Sequence, residues 1–171
     1  IGTGNPQTLA FARQLRAQHP NDTDYIRAIL DWFNKEQFVY TLTPLYLERD
    51  PVDMFLFDTR RGFCEHYASA FVLLLRAAGI PARVVTGYQG GSVNPRGDYM
   101  IVRQSDAHAW AEAIVDGRWQ RFDPTAAVAP SRIEVAIEKQ GHLAVLSISD
   151  DGKGLPEAEI ESVQQRFRRG A

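Results

Sequence analysis

The sequence has one cysteine, no long apolar run and almost no net charge. A single cysteine, Cys64, excludes an intrachain disulfide and any zinc site built from several thiolates. The longest uninterrupted apolar run, residues 70–75, is far shorter than the roughly 20 residues that a membrane-spanning helix needs. A formal net charge of −2 creates no long-range field that would attract nucleic acid or acidic lipid. We therefore expect no disulfide, no membrane helix and no nucleic-acid partner.

No secretory signal peptide is visible, and the chain begins at Ile1 rather than at a methionine. We expect a soluble piece of a larger protein. With 171 residues, 44% of them hydrophobic, the chain can bury a real core and suits one domain, or one domain plus an appendage.

The hydrophobic period changes along the chain. Up to Gly79 the pattern predicts three helices. The first has Asn5 as its cap and Pro6 as its first residue, and the second follows a cap at Asp22–Asp24. The third is a buried helix over 67–78 that ends at Gly79. Residues 38–42 favour a strand, and 44–61 are expected to form an irregular loop. Beyond Gly79 a period of two predicts strands over 83–88, 99–103, 108–115 and 118–123. Residues 134–138 and 143–149 alternate like a second hairpin, which a turn over 150–154 and a charged helix from Pro156 to about Arg166 should follow. Helices followed by an antiparallel sheet indicate an α+β fold.

The Asp116-Gly117 dipeptide predicts a two-residue hairpin turn. In an unbulged hairpin Val115 faces Arg118, so that Trp110 would lie opposite Asp123, and His108 opposite Thr125, one diagonal step from Asp123. His108 and Asp123 then share one sheet face within side-chain reach. A carboxylate in that position can hold one imidazole nitrogen and leave the other to accept a proton.

Cys64 directly precedes the predicted buried helix. A helix N-terminus stabilises the reactive thiolate through its unpaired N–H groups. A buried, unreactive cysteine is the competing interpretation, as are a sheet role for His108 and a turn role for Asp123. Together, however, the three residues supply a nucleophile, a base and a group that orients the base.

Other residues are weaker candidates. The Cys64 backbone N–H and the Tyr40 hydroxyl could stabilise an oxyanion. His66, a rival base only two positions from Cys64, should point away from it on a helix and have a supporting role. The Trp110 and Trp119 side chains could wall a substrate groove, although both could equally pack in the core.

Four motifs resemble the bacterial transglutaminase-like domain, and in particular that of TgpA-type inner-membrane proteins. They lie within residues 5–133, in the family's order Cys, His, Asp: Arg61–Ala70 (RGFCEHYASA), Ala78–Tyr88 (AGIPARVVTGY), Ser105–Glu112 (SDAHAWAE) and Arg121–Thr125 (RFDPT). Residues 38–44 and 50–60 are also similar to this family.

The resemblance implies a papain-like core over residues 1–133, with a Cys-bearing helix packed on an antiparallel sheet. By matching motif, Cys64 would be the nucleophile, His108 the general base and acid, and Asp123 the residue that orients His108. Family members act on peptide amides through a thioester, so a protein or peptide substrate is implied, on the periplasmic side of the inner membrane and in a membrane-anchored parent protein. Some relatives require calcium, but the acidic residues here form no calcium loop. We expect no metal and no cofactor.

Residues 134–171 fit that family less well. Asp150–Pro156 (DDGKGLP) and Arg166–Gly170 (RFRRG) resemble boxes of a sensor histidine kinase ATP-binding domain. The magnesium-binding Asn motif and the later Gly-rich box are missing, and so short a segment is too small to bury a nucleotide. We therefore expect an incomplete fragment in a chimeric or mis-joined chain, without nucleotide binding.

Two other functions stay open. A cysteine protease or amidase would use the same residues, and a non-catalytic binding module would keep the fold alone. The intact Cys64, His108 and Asp123 favour an enzyme.

Overall fold

Helices precede strands along the chain, and the longest helix lies at the transition. The computed structural model describes residues 4–128, 133–140 and 143–150, and the chain divides into two units, Ile1–Val128 and Ala129–Ala171. The helices of the first unit are α1 (Pro6–Gln18), α2 (Asp22–Lys35), α3 (Pro51–Asp53), which continues as a π-helical segment over Met54–Thr59, and α4 (Cys64–Ala77).

Seven strands of the first unit form three sheets. Their bounds are β1 (Val39–Tyr40), β2 (Arg61–Gly62), β3 (Ala82–Tyr88), β4 (Ser92–Val93), β5 (Met100–Ile101), β6 (Ala107–Val115) and β7 (Arg118–Phe122). The main sheet is antiparallel with the order β3-β6-β7, while β1 pairs with β2 in parallel and β4 with β5 antiparallel. Short 3-10 helices cover Gln104–Asp106 and Pro124–Ala127.

The core lies between α4 and the main sheet. Alternate residues of β6 are buried, beginning with Ala109, and this face packs against α4. The predicted apolar face of α2 is also buried, with Tyr25, Ile29 and Phe33 fully enclosed. The α+β architecture expected from the sequence is confirmed, with a Cys-bearing helix on an antiparallel sheet.

Helices α1 and α3 cap each other. The Asn5 side chain was expected to cap α1, but its Oδ1 instead accepts from the N–H groups of Val52 (2.9 Å) and Asp53 (3.1 Å). The buried Asp53 carboxylate in turn accepts from the N–H groups of Gln7 (2.9 Å) and Thr8 (2.7 Å) at the start of α1. Each helix start therefore takes its cap from the other.

The prediction of an irregular loop over residues 44–61 is wrong for its second half. Residues 51–59 are helical, with Phe55 and Leu56 buried in the core. The caps that begin this helix come from Asn5, more than 40 residues away in sequence, so local turn signals gave no indication of it. The strand expected over 99–103 is also shorter, Met100–Ile101.

The hairpin has the predicted turn and register as far as Phe122. Asp116 and Gly117 have φ values of 52° and 75°, and Val115 pairs with Arg118. The expected pairs opposite Asp123 and Thr125 do not form, because the ladder ends at Phe122. Asp123 instead begins a 3-10 helix and accepts from the N–H of Thr125 at 3.2 Å. The following Pro124 has no N–H to donate to a ladder.

The second unit contains the hairpin that the sequence predicted beyond Glu134. Strands β8 (Ile133–Gln140) and β9 (Leu143–Asp150) pair antiparallel over their whole length. The turn expected over 150–154 and the charged helix expected from Pro156 to about Arg166 lie, apart from Asp150, outside the described residues.

Candidate active site

The only cysteine of the chain is the first residue of α4. Its side chain is 8% exposed and packs against Ala68 on the next turn and Ala109 on β6. Ala109 directly follows His108, so the thiol lies against the strand that carries the predicted base. At a helix N-terminus the sulfur is close to unpaired backbone N–H groups, which favour the thiolate.

The chain reaches Cys64 through Gly62, the last residue of β2, where a side chain would not fit. A Cβ on Gly62 would lie 2.8 Å from the Cβ of His66, closer than real Cβ atoms come. Gly62 also pairs with Tyr40 in the β1–β2 ladder, and its carbonyl accepts from the N–H of Thr41 at 2.8 Å. This pairing brings β1 alongside the start of α4.

Tyr40 lies at the nucleophile. Its hydroxyl interacts with the Cys64 backbone and side chain and is within electrostatic range of the Asp123 carboxylate. Partial burial raises the pKa of Tyr40, and the neighbouring charges of Cys64 and Asp123 raise it further. The phenol therefore stays protonated and remains a hydrogen-bond donor beside the Cys64 N–H.

His108 and Asp123 form the hydrogen bond that the hairpin geometry predicted. Nε2 of His108 is 2.6 Å from Oδ2 of Asp123, and both side chains are largely buried. Since an ionised carboxylate only accepts, the imidazole donates through Nε2 and keeps Nδ1 as its proton acceptor. The two side chains meet beyond the end of the strand ladder, where Asp123 begins the 3-10 helix.

Arg121 was not identified from the sequence. Its Nη2 donates to Oε1 of Gln89 and lies 3.8 Å from Oδ2 of Asp123, the oxygen that also accepts from His108. Its guanidinium stacks on the ring of Trp110 at 4.2 Å. Arg121 and Asp123 are two residues apart, and this spacing could have indicated that their side chains meet. No neighbouring feature of the sequence indicates the contact of Arg121 with Gln89.

Trp110 lies within the site, and Trp119 does not. The Trp110 ring stacks on His108 with centroids 6.4 Å apart, and a Cβ on Gly87 would collide with it at 2.8 Å. Trp119 pairs with Ile114, six residues along β6 from His108, which is about 20 Å in a strand. It stacks with Arg83 there, at 4.2 Å.

His66 faces away from Cys64, toward a separate cavity. Its Nδ1 is 3.4 Å from the Phe63 N–H, which can donate only to an unprotonated ring nitrogen. Burial lowers the pKa of His66, and the negative charge of Glu65 opposes that shift. The ring lines an apolar cavity of about 520 Å³ between α4 and the loop before α3. His66 therefore supports the start of α4.

Metal sites and membrane-spanning helices are both missing from the ranges that the structure describes. No group of three or more His, Cys, Asp or Glu side chains there is arranged to hold a metal ion. No helix in those ranges is both long enough and apolar enough to cross a membrane.

The arrangement can perform covalent chemistry on a carbonyl. A thiol at a helix start, an imidazole held by a carboxylate, and two donors beside the sulfur are the parts that acyl transfer through a thioester needs.

Comparisons with known proteins agree with this arrangement. The model of the Transglutaminase-like superfamily matches residues 9–124. A protein-glutamine gamma-glutamyltransferase of Pseudomonas aeruginosa is 47% identical over 164 residues, which cover 95% of this chain and 24% of that protein. The uncharacterized protein YebA of Bacillus subtilis is 37% identical over 127 residues, 70% of this chain and 17% of that protein. The chain thus spans about a quarter or less of these relatives.

Solved structures are similar as well. The periplasmic domain of TgpA from Pseudomonas aeruginosa superposes with a TM-score of 0.73 at 52% identity, over 77% of this chain and 46% of that one. A putative cysteine protease from Cytophaga hutchinsonii gives a TM-score of 0.52 at 26% identity, over 73% of this chain and 40% of that one.

The predicted resemblance of residues 134–171 to a histidine kinase is not supported. The Pseudomonas aeruginosa transferase aligns over 95% of the chain, which extends well into this segment. A mis-joined chain is not needed to explain a segment that aligns with the same relative as the domain before it. From the family match, the relatives and the shared fold, the chain belongs to the transglutaminase-like superfamily.

Proposed function

We propose that this chain catalyses cysteine-dependent acyl transfer on the glutamine side chains of a protein or peptide. The observation that carries the proposal is the 2.6 Å contact of Asp123 with His108, which lies on the strand against which Cys64 packs. In this proposal Cys64 is the nucleophile, His108 the base and acid, and Asp123 the residue that orients His108. The relative from Pseudomonas aeruginosa carries the name of this activity.

The reaction proceeds in two halves. His108 accepts the thiol proton at Nδ1, and the Cys64 sulfur attacks the glutamine carbonyl. The oxyanion forms beside the Cys64 N–H and the Tyr40 hydroxyl, which stabilise its charge. His108 then gives the proton to the leaving nitrogen, so that ammonia departs and a thioester remains. An amine loses a proton to His108, attacks the thioester and forms the new amide, and the departing sulfur recovers the proton.

Hydrolysis is the second candidate. Water would replace the amine, and the similarity to a putative cysteine protease at 26% identity supports this alternative. Whether water or an amine takes the acyl group depends on access to the thioester. An assay with a glutamine peptide and a fluorescent amine separates the outcomes, since transfer gives equal amounts of ammonia and labelled peptide. Ammonia without label, or cleaved peptide, would instead indicate hydrolysis.

The assay also tests the alternative of a non-catalytic module. Cys64→Ala should abolish ammonia release, and iodoacetamide should modify wild-type Cys64 quickly near neutral pH. Slow modification together with no turnover would favour a binding module. A TgpA periplasmic domain has been solved with ethylmercury bound, and a stoichiometric reaction of Cys64 with the same reagent would independently show that the thiol is accessible.

We further propose that the domain acts on the periplasmic side of a bacterial inner membrane, in a membrane-anchored parent protein. The support is the periplasmic origin of the TgpA domain. A membrane-impermeant maleimide should label Cys64 in intact spheroplasts that carry the parent protein. Residues 1–133 would form the catalytic domain, with 134–171 as an appended segment.

A further inference from the structure

Gln89 is connected to the site through Arg121 but has no part in the proposed reaction. It directly follows β3, and the pairing of β3 with β6 continues up to the residue that precedes His108. The Gln89 N–H donates to the carbonyl of Asp106 at 2.8 Å. The backbone is therefore held at the end of the sheet, while the side chain extends over β6 to Arg121 on β7.

Arg121 lies across β6 rather than against Asp123. Its guanidinium covers the Trp110 ring at 4.2 Å, and its Nη2 donates to Oε1 of Gln89 at 2.5 Å. The same nitrogen is 3.8 Å from Oδ2 of Asp123, which is too far for a hydrogen bond. Because β3 and β7 are the outer strands of the main sheet, roughly 9–10 Å apart, only long side chains can meet over β6. Gln89 therefore draws the guanidinium away from the carboxylate.

The Asp123 carboxylate is a strong alternative partner for Arg121. Guanidinium and carboxylate groups that meet freely form paired hydrogen bonds of about 2.7–2.9 Å, and these two residues are only two positions apart. Oδ1 of Asp123 accepts from the Thr125 N–H, and Oδ2 accepts from Nε2 of His108. In direct contact, the guanidinium would compete with His108 for Oδ2. The imidazole would then lose the partner that fixes its orientation and its tautomer.

We propose that Gln89 is a positioning residue that keeps the Arg121 guanidinium off Asp123. The carboxylate then stays free to hold His108. An amide suits this purpose because its oxygen is a neutral acceptor, which binds the guanidinium without cancelling the positive charge beside Asp123. The inference rests on the proposed function, to which it adds a residue that acts only through Arg121.

Gln89→Leu tests the inference, because leucine has a similar size but no acceptor. In the 171-residue chain this variant should lower kcat for a glutamine peptide, with little change in KM. The loss should be about three- to tenfold, as expected when one exposed hydrogen bond to a charged group is removed. Gln89→Glu keeps an acceptor for Arg121 and should keep kcat close to the wild-type value. Equal losses in both variants would overturn the inference.

A double variant shows whether the effect passes through Arg121. If it does, adding Gln89→Leu to Arg121→Ala should cause no further loss of kcat, whereas independent effects would multiply. A further loss as large as that in Gln89→Leu alone would contradict the proposal.

Gln104→Leu is the matched control on the same connection between β3 and β6. Its Oε1 accepts from the Tyr88 hydroxyl at 3.3 Å, at the same end of the sheet as Gln89. The variant should leave kcat unchanged. A loss equal to that of Gln89→Leu would assign the effect to the whole connection and overturn the inference.

A spectroscopic measurement separates this inference from the proposed function. NMR of the imidazole nitrogens shows which of them carries the proton when the ring is neutral. In the wild type His108 should carry it on Nε2, Gln89→Leu should give a mixture of both tautomers, and the double variant should restore Nε2. That result in a chain without turnover would support the role of Gln89 and refute the transferase. Turnover with kcat and tautomer unchanged in Gln89→Leu would refute the role of Gln89 and leave the acyl transfer standing.

Discussion

Oδ2 of Asp123 accepts from Nε2 of His108 at 2.6 Å and also lies 3.8 Å from the guanidinium of Arg121. The carboxylate thus holds the imidazole through Nε2, and the Arg121 guanidinium lies beside that carboxylate. Asp123→Asn should lower acyl transfer by about a hundred- to ten-thousandfold, because the amide no longer selects the required tautomer. Iodoacetamide should also modify Cys64 more slowly. Asp116→Asn makes the same chemical change in the turn of this hairpin and should leave both rates as they are.

Arg121 is expected to act by positioning Asp123 and Trp110. Arg121→Ala should lower kcat/KM about tenfold, since small displacements of reacting groups are costly. Initial rates with a glutamine peptide measure this loss.

Arg83→Ala is the control for Arg121. Arg83 stacks on Trp119 at the same 4.2 Å, but its ion pair is with Glu112 rather than with Asp123. Its loss should leave kcat/KM unchanged. Equal losses of kcat/KM in both variants would mean that the effect comes from the sheet as a whole.

The Tyr40 hydroxyl is expected to stabilise the oxyanion. Tyr40→Phe should lower kcat by roughly ten- to a thousandfold with little change in folding, because one of two donors at the developing charge is lost. Tyr99→Phe, on an exposed tyrosine, should have no such effect. Since burial raises the pKa of Tyr40, ionisation of this phenol should not reduce activity below its ordinary pKa of about 10. Rates measured from pH 7 to 10 would show any earlier decline.

The exchanged caps of α1 and α3 should matter for stability. Asp53→Ala removes a buried carboxylate that accepts from the N–H groups of Gln7 and Thr8. We expect the free energy of unfolding to fall by about 2–4 kcal/mol, from the lost cap and the unsatisfied donors. Asp58→Ala, at an exposed position of the same segment, should change it by less than about 0.5 kcal/mol. Urea denaturation followed by circular dichroism measures both.

Acidification should destabilise the fold through His66. Because burial lowers its pKa in the folded state, the unfolded chain binds the proton more readily. The contribution of His66 to stability is complete above its pKa in the unfolded chain, about 6.5. It is lost as the pH falls through that value toward the lower pKa of His66 in the folded protein. His66→Asn cannot titrate, so its free energy of unfolding should fall less between pH 7.5 and 5.5. An equal decrease in the free energy of unfolding for the wild type and for His66→Asn would exclude His66 as the cause.

Most of the predicted site comes from short stretches of sequence. The Asp116-Gly117 turn fixes the hairpin register, because only residues that accept positive φ close such a turn. That register brings His108 and the residues after Phe122 to the same end of the hairpin. The apolar run after Cys64 and the terminating Gly79 likewise predict a buried helix with the thiol at its start.

Contacts between segments that are distant in sequence decided the remaining features of the site and the fold. Tyr40 reaches Cys64 only because β1 pairs with β2, and the α3 segment is helical because Asn5 caps it. Asp123 meets His108 beyond the end of the ladder, and Arg121 reaches Gln89 across the sheet. These contacts depend on which segments pack together, so composition and period alone do not specify them. The sequence by itself determined the cysteine at a helix start, the histidine on a strand and the sheet beside them, whereas packing decided which groups surround them.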